Sequence, residues 1–243
     1  MTNRFTLIGL LLFGISACKP SEKKDQALEN ETYEDVKFVG AMRNVMWKGE
    51  LEGTISLDSI SPKTGLYGLG PESFLTGELL IKDGVSYVSR INADSSIQIE
   101  KNGDVSAPFF VYANVKEWKE IALGSETRTI KDLEKLIDEN TKDSKRPFAF
   151  KLTGKVNKAV FHIQNLPPGT KVSNPDEAHV GQQSFELQDE EVEIIGFFSS
   201  SHQGVFTHHD SFLHMHLITQ DEQKMGHLDE LQIGEMMLYL PKN

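Results

Sequence analysis

The chain has 243 residues and carries 36 acidic against 25 basic side chains, a formal net charge of −11. That acidic balance argues against nucleic-acid binding and against purely electrostatic attachment to anionic lipid. A single cysteine, Cys18, excludes an internal disulfide.

The first seventeen residues read as a secretion signal. Arg4 gives the positive start, and the apolar run Phe5 to Ile15 is of signal length, too short to span a bilayer comfortably. The run ends in Ile15-Ser16-Ala17-Cys18, which resembles a bacterial lipobox, in which the cysteine receives the lipid before cleavage. Residues 18–35 are charged and nearly without large apolar side chains, the composition of a flexible tether. Residues 36–243 remain for the folded body, expected as two β-rich halves of about 36–165 and 166–243. Pro167-Pro168-Gly169 and Asn174-Pro175-Asp176 mark the loop between them.

Within the body most segments have strand character. A short helix is expected over Gly40 to Met46. Glu78–Lys82, Asp83-Gly84 and Val85–Arg90 form a hairpin signal, because Asp-Gly suits the two positive φ angles of a type I′ turn. Ile97–Glu100, Lys101-Asn102-Gly103 and Pro108–Tyr112 repeat the pattern. One clear helix runs from Thr129 to about Asn140, with Thr129 as N-cap, Asp132 three residues on, and an apolar stripe of Ile130, Leu133, Leu136 and Ile137. Further strands are expected over Phe148–Leu152, Val156–Gln164, Val192–Phe198, Leu213–Ile218 and Glu235–Leu240.

The most specific chemistry lies near the C-terminus. In Phe212-Leu213-His214-Met215-His216-Leu217-Ile218 the two histidines stand at i and i+2, on one face of a strand and about 7 Å apart. His227 follows eleven residues after His216, beyond a turn-like stretch. Three imidazoles so placed could hold a catalytic zinc with one position open. Such pairs also arise by chance in many proteins, and the spacing alone leaves scattered core and surface histidines as an alternative. His179 and His202 lie in loops without ligand-like spacing, and His208 and His209 are expected in a loop over the site.

Several motifs fall in the order of one known family. Gly68-Leu69-Gly70, Leu75-Thr76-Gly77-Glu78-Leu79-Leu80 and Asp83-Gly84-Val85 with Tyr87 resemble the α-acetolactate decarboxylases, which carry a Gly-x-Gly-Thr turn and an Asp-Gly hairpin in this arrangement. Ala41-Met42 through Leu57, the helix at Thr129, the strand Phe148 to Gly154, and the histidine segment followed by Leu228-Asp229-Glu230 also match, covering about residues 40 to 240.

The resemblance implies an α+β fold, β-dominated, with two packed mixed β-sheet subdomains and few short helices. It implies a zinc ion on His214, His216 and His227, with Glu78 facing it. It further implies conversion of 2-acetolactate, or a similar 2-hydroxy-3-keto acid, to acetoin and CO2. Zinc would serve as Lewis acid and Glu78 as proton donor, without an organic cofactor. Read alone, a Glu that opens a hairpin is ordinarily a solvated edge residue. Its catalytic role comes only from the resemblance.

Three departures bear on the substrate. Pro71 stands where the family has Thr, His162 stands where it has an active-site Arg, and the family's C-terminal tail is missing after Asn243. Imidazole is shorter than guanidinium and lacks its fork. Arg90 and Lys151 are the nearest basic substitutes by strand placement. A lipid-anchored zinc- or ligand-binding protein that keeps the fold without turnover therefore remains an alternative, a metal-storage role is a third reading, and a homodimer is left open. The expected location is the cell envelope, held to a membrane through Cys18.

Replacing Cys18 with Ser should release the protein into the soluble fraction of a membrane preparation, since attached lipid supplies the anchoring. Unchanged membrane retention of the variant would remove the anchor assignment.

Overall fold

The computed structural model describes Met1, residues 36–142 and residues 144–242. Apart from Met1, the expected secretion signal, Cys18 and the expected tether fall outside the described residues.

Strand β1 covers Lys37–Val39 and helix α1 Met42–Lys48. The following strands are β2 (Ile55–Ser56), β3 (Leu66–Pro71), β4 (Glu78–Lys82), β5 (Val85–Ile91), β6 (Ile97–Lys101), β7 (Ser106–Ala107), β8 (Phe110–Asn114) and β9 (Trp118–Ala122). Helix α2 spans Ile130–Asn140, β10 Phe148–Ile163 and α3 Pro175–Ala178. Strands β11 (Gln183–Gln188), β12 (Glu191–Phe198), β13 (Leu213–Thr219) and β14 (Met225–Pro241) complete the chain. The protein is β-dominated with few short helices, as its sequence implies. Every pairing of these strands is antiparallel, which refines the expected mixed sheets.

The first sheet has the order β1-β8-β3-β4-β5-β6. Its β4–β5 hairpin forms as expected, with Asp83 and Gly84 at φ of 45° and 81° in the turn. The second expected hairpin does not form. β6 pairs with β5, while β8 pairs with β3 and β1 at the other side of the sheet. Between them the chain leaves the sheet so that β7 can pair with β2, and the Asp58 amide donates to the Gly103 carbonyl. Gly68 and Gly70 lie within strand β3 rather than in a turn. A Cβ on Gly68 would come within 2.6 Å of the Phe110 ring, so glycine is needed there for close packing.

The second sheet has the order β11-β10-β12-β13-β14-β9, with β10 also paired to β14. That additional ladder runs from Lys151↔Tyr239 to His162↔His227 and closes β10, β12, β13 and β14 into a ring. The two strands expected over Phe148–Leu152 and Val156–Gln164 are one continuous strand. Gly154, at φ 128°, sits where a Cβ would meet the Glu235 carbonyl oxygen at 2.2 Å, and register shifts at Gly154/Val156 and beyond bend the strand around the ring. The chain changes sheets between Asn114 and Trp118, not at the Pro167-Pro168-Gly169 loop, because β10 is committed to β12 and β14.

Helix α2 has the expected start. The Thr129 hydroxyl accepts from the Asp132 amide and the Asp132 carboxylate accepts from the Thr129 amide, a reciprocal box that satisfies two otherwise orphaned donors. Its buried residues Leu133 and Ile137 join Phe150, Phe161, Phe198, Leu217 and Leu238 in the barrel core. A second core lies between the sheets, where Leu69, Leu80, Tyr87 and Val111 of the first meet Ile195, Phe197, Ile218 and Met225 of the second. The other face of the first sheet buries Leu66, Leu79, Ile81 and Phe110 under Leu57 and Ile60.

Gly196 on β12 tests this packing. A Cβ there would stand 2.2 Å from the Phe150 ring, deep in the barrel. Gly196→Ala should therefore cost about 1–3 kcal/mol in denaturant unfolding through overpacking, and adding Phe150→Leu should return part of that loss. An alanine variant as stable as the parent would contradict the packing described.

Candidate metal centre

Strand alternation decides which side chains face which core. On β13, Leu213, Met215 and Leu217 fill the barrel, so His214, His216 and Ile218 face the first sheet. On β4, Leu79 and Ile81 face away from the barrel and Leu80 faces it. Glu78 shares the face of Leu80 and thus looks across the gap at the histidines. Register then adds two further imidazoles, since His227 pairs with His216 on one side and with His162 on the other.

His214, His216 and His227 each offer a nitrogen within 4.8 Å of the others. All three are at most 7% exposed. Their ring centroids are 5.0–5.3 Å apart. Neither nitrogen of His216, nor Nδ1 of His214, has a hydrogen-bond partner of good geometry. A buried polar atom left unpaired costs about 1–3 kcal/mol. Burial holds the His216 ring at about 3, far below its usual 6.5, with His162 adding to the effect. Burial and neighbouring imidazoles also push His214 and His227 well down. Convergent imidazoles disfavoured from carrying charge, with nitrogens of His214 and His216 left without partners, are the form that a metal ion takes up. The site fits such an ion.

Glu78 is 2% exposed, not the solvated edge residue its sequence position suggests. Its Oε2 lies 3.6 Å from His216 Nε2 and its Oε1 4.0 Å from His162 Nε2. Burial raises its carboxyl well above the ordinary value, and Asp229 and Glu72 act in the same direction. The Gln164 amide, which donates to Oε1 at 3.3 Å, opposes them.

His162 is stacked on His227 at 4.7 Å and its Nδ1 meets both oxygens of Asp229 at 2.8 and 2.9 Å. That pairing fixes the ring's orientation and presents Nε2 toward Glu78. Sequence reasoning gave Asp229 no role, although it stands at i+2 from His227. Of the other histidines, His208 Nε2 lies 3.0 Å from His227 Nε2 and His179 lies 6.5 Å, ring to ring, from His162. His202 instead packs on Phe38 and Phe206. The basic substitutes are engaged elsewhere. Arg90 is paired with Glu72 and Glu100, and Lys151 lies over the rings of Trp118 and Tyr239. Pro71 ends β3 opposite Glu78.

A barrel that turns three buried imidazoles toward an acid on a second sheet defines a protein that could hold a metal ion between its sheets. The model of the alpha-acetolactate decarboxylase family matches residues 38–242, and the chain belongs to that family of carboxy-lyases. It is similar to alpha-acetolactate decarboxylase of Brevibacillus brevis, 27% identical over 218 residues that cover 89% of this chain and 73% of the relative. The fold resembles the crystal structure of alpha-acetolactate decarboxylase from Bacillus subtilis strain 168, with a TM-score of 0.69, 23% identity and 86% of each chain covered. It also resembles a Staphylococcus aureus protein of unknown function described as similar to that enzyme, with a TM-score of 0.70, 20% identity and 84% of each chain covered.

The lowered histidine values give a pH dependence to the chelator-treated protein. Below 6.5 the unfolded chain gains protons on these rings that the folded chain refuses, so stability should fall as pH drops from 6.5 toward about 3. Thermal melts across that range should show a shallower decline for His216→Gln than for the parent. Equal slopes would mean that the His216 ring is not buried in its neutral form.

Proposed function

We propose that this protein is an envelope-anchored decarboxylase that converts 2-acetolactate, or a close 2-hydroxy-3-keto acid, to acetoin and CO2. Family membership supports the reaction, and the buried histidine set supports a zinc ion held by His214, His216 and His227. The observation that carries the reading is Glu78, a carboxyl buried opposite those imidazoles and raised by that burial well above its ordinary value, the direction a proton donor needs. When bound, the ion supplies Lewis acidity toward the hydroxyl and ketone oxygens of the substrate.

The chain's own residues account for the remaining steps. As the bond to the carboxylate breaks, its electron pair stays on the substrate as an enediolate, and CO2 leaves. Glu78 then donates its proton to one face of that carbon, which makes the protonation stereoselective. His162, oriented by Asp229, stands where it could contact the substrate carboxylate. Its single Nε2 gives a weaker and less directional contact than an Arg fork, so carboxylate affinity should be modest. The acidic Glu72 is neutralised by Arg90, which limits repulsion of an anionic substrate. Lipid on Cys18 would place this site outside the inner membrane, where it would act on acid released from cells.

Glu78→Gln keeps the shape of the side chain and removes the transferable proton. Zinc-loaded variant should lose about 10²- to 10⁴-fold of the rate of acetoin formation while keeping its metal content. Retained turnover would remove Glu78 from the proton step. Absence of acetoin above background with the zinc-loaded parent protein would favour the binding-protein reading.

A further inference from the structure

The loop between β12 and β13 brings a fourth imidazole to the cluster. Ser199 and Phe212 close its base, where the Ser199 amide donates to the Phe212 carbonyl at 2.8 Å, and Gly204, at φ 70°, turns it so that its amide donates to the Thr207 carbonyl at 2.8 Å. Thr207 is fully buried and its hydroxyl has no partner, while His208 is half-buried and His209 exposed. The loop thus places His208 beside the site.

We propose that His208 supplies a further nitrogen ligand to the ion held by His214, His216 and His227. The proposal rests on the zinc reading above. His208 Nε2 and His227 Nε2 lie 3.0 Å apart, a hydrogen-bond contact in which one ring donates and the other accepts, and an ion that displaced the shared proton would find both nitrogens within reach. Two nitrogens each about 2.0–2.1 Å from one zinc are about 2.9 Å apart at a right angle and about 3.3 Å apart at the tetrahedral angle. The observed spacing falls in that interval. The His208 ring centroid is 4.9 Å from His227 and 6.3 Å from His214, at the edge of the three-imidazole cluster.

The contact has a chemical consequence. Three protein nitrogens leave an open position, whereas a fourth closes a tetrahedral site until substrate arrives. A half-buried loop histidine is the ligand most easily displaced, because its departure needs no movement of the barrel. Substrate would then exchange with His208.

Two measurements on the full-length protein separate this proposal from the reading beneath it. Zinc-edge X-ray absorption of the parent protein should count four imidazoles, and a count of three would overturn the role of His208 while leaving the zinc centre intact. Zinc affinity, from competition with a chromophoric chelator, should fall at least the roughly 10- to 100-fold that outer-shell partners cost in His208→Ala, and should not change in His209→Ala. The visible bands of cobalt-loaded protein should shift in the His208 variant alone. Unchanged affinity and an unchanged cobalt spectrum in His208→Ala would also overturn the proposal. A parent protein that takes up no zinc at all would instead defeat the zinc reading on which it stands.

Discussion

The pairing of β10 with β14 is the constraint on which the rest of this molecule depends. It closes the second sheet into a ring and sets His162 directly across from His227, which is itself across from His216. Because side chains alternate, a slip of one residue in either ladder would turn every histidine into the barrel core and every Leu or Phe out of it. The large apolar cost of that exchange is what holds the imidazoles on the correct face. The site's geometry is therefore enforced by residues that never touch it, among them Phe161, Leu217 and Leu228.

The polar cluster is itself a local liability. It interrupts the apolar layer between the sheets, with Ile195 and Phe197 as the cross-strand neighbours of His216 and His214. Unpaired nitrogens and a buried carboxyl are tolerated there because the surrounding cores are extensive. The same apolar setting shapes the chemistry of these groups, since burial disfavours charge on the rings and raises the Glu78 carboxyl above its ordinary value.

Features written in short stretches of sequence were legible. The Asp83-Gly84 hairpin, the Thr129–Asp132 box and the alternating histidine strand each rest on local geometry, and each formed as expected. Features set by distant partners were not. Nothing near Ile97 or Phe110 indicates that their strands lie far apart in the first sheet, because that choice depends on β2 capturing β7. Gly154 reads locally as a break, yet it is a bend in one strand held by the Glu235 carbonyl opposite. The burial of Glu78 needs the second sheet above it, and the partnership of His162 with Asp229 spans 67 residues. Asp229 had one local signal, its i+2 relation to His227, and His208 was legible only as part of a loop expected over the site, with nothing local to single it out from His209.

Glu78 and the histidines belong to different sheets, joined at the interface by Lys82 with Glu193 and by Tyr87 with Glu222. The order in which the molecule assembles therefore matters to its chemistry. A ring of β10, β12, β13 and β14 that has closed before the sheets dock already owns every strand-borne imidazole of the site, but it has no acid. On the proposed role of Glu78, reactivity would arrive only with docking, as a property of the completed molecule, and half-assembled chains along the folding route would be chemically silent even if they had already captured an ion.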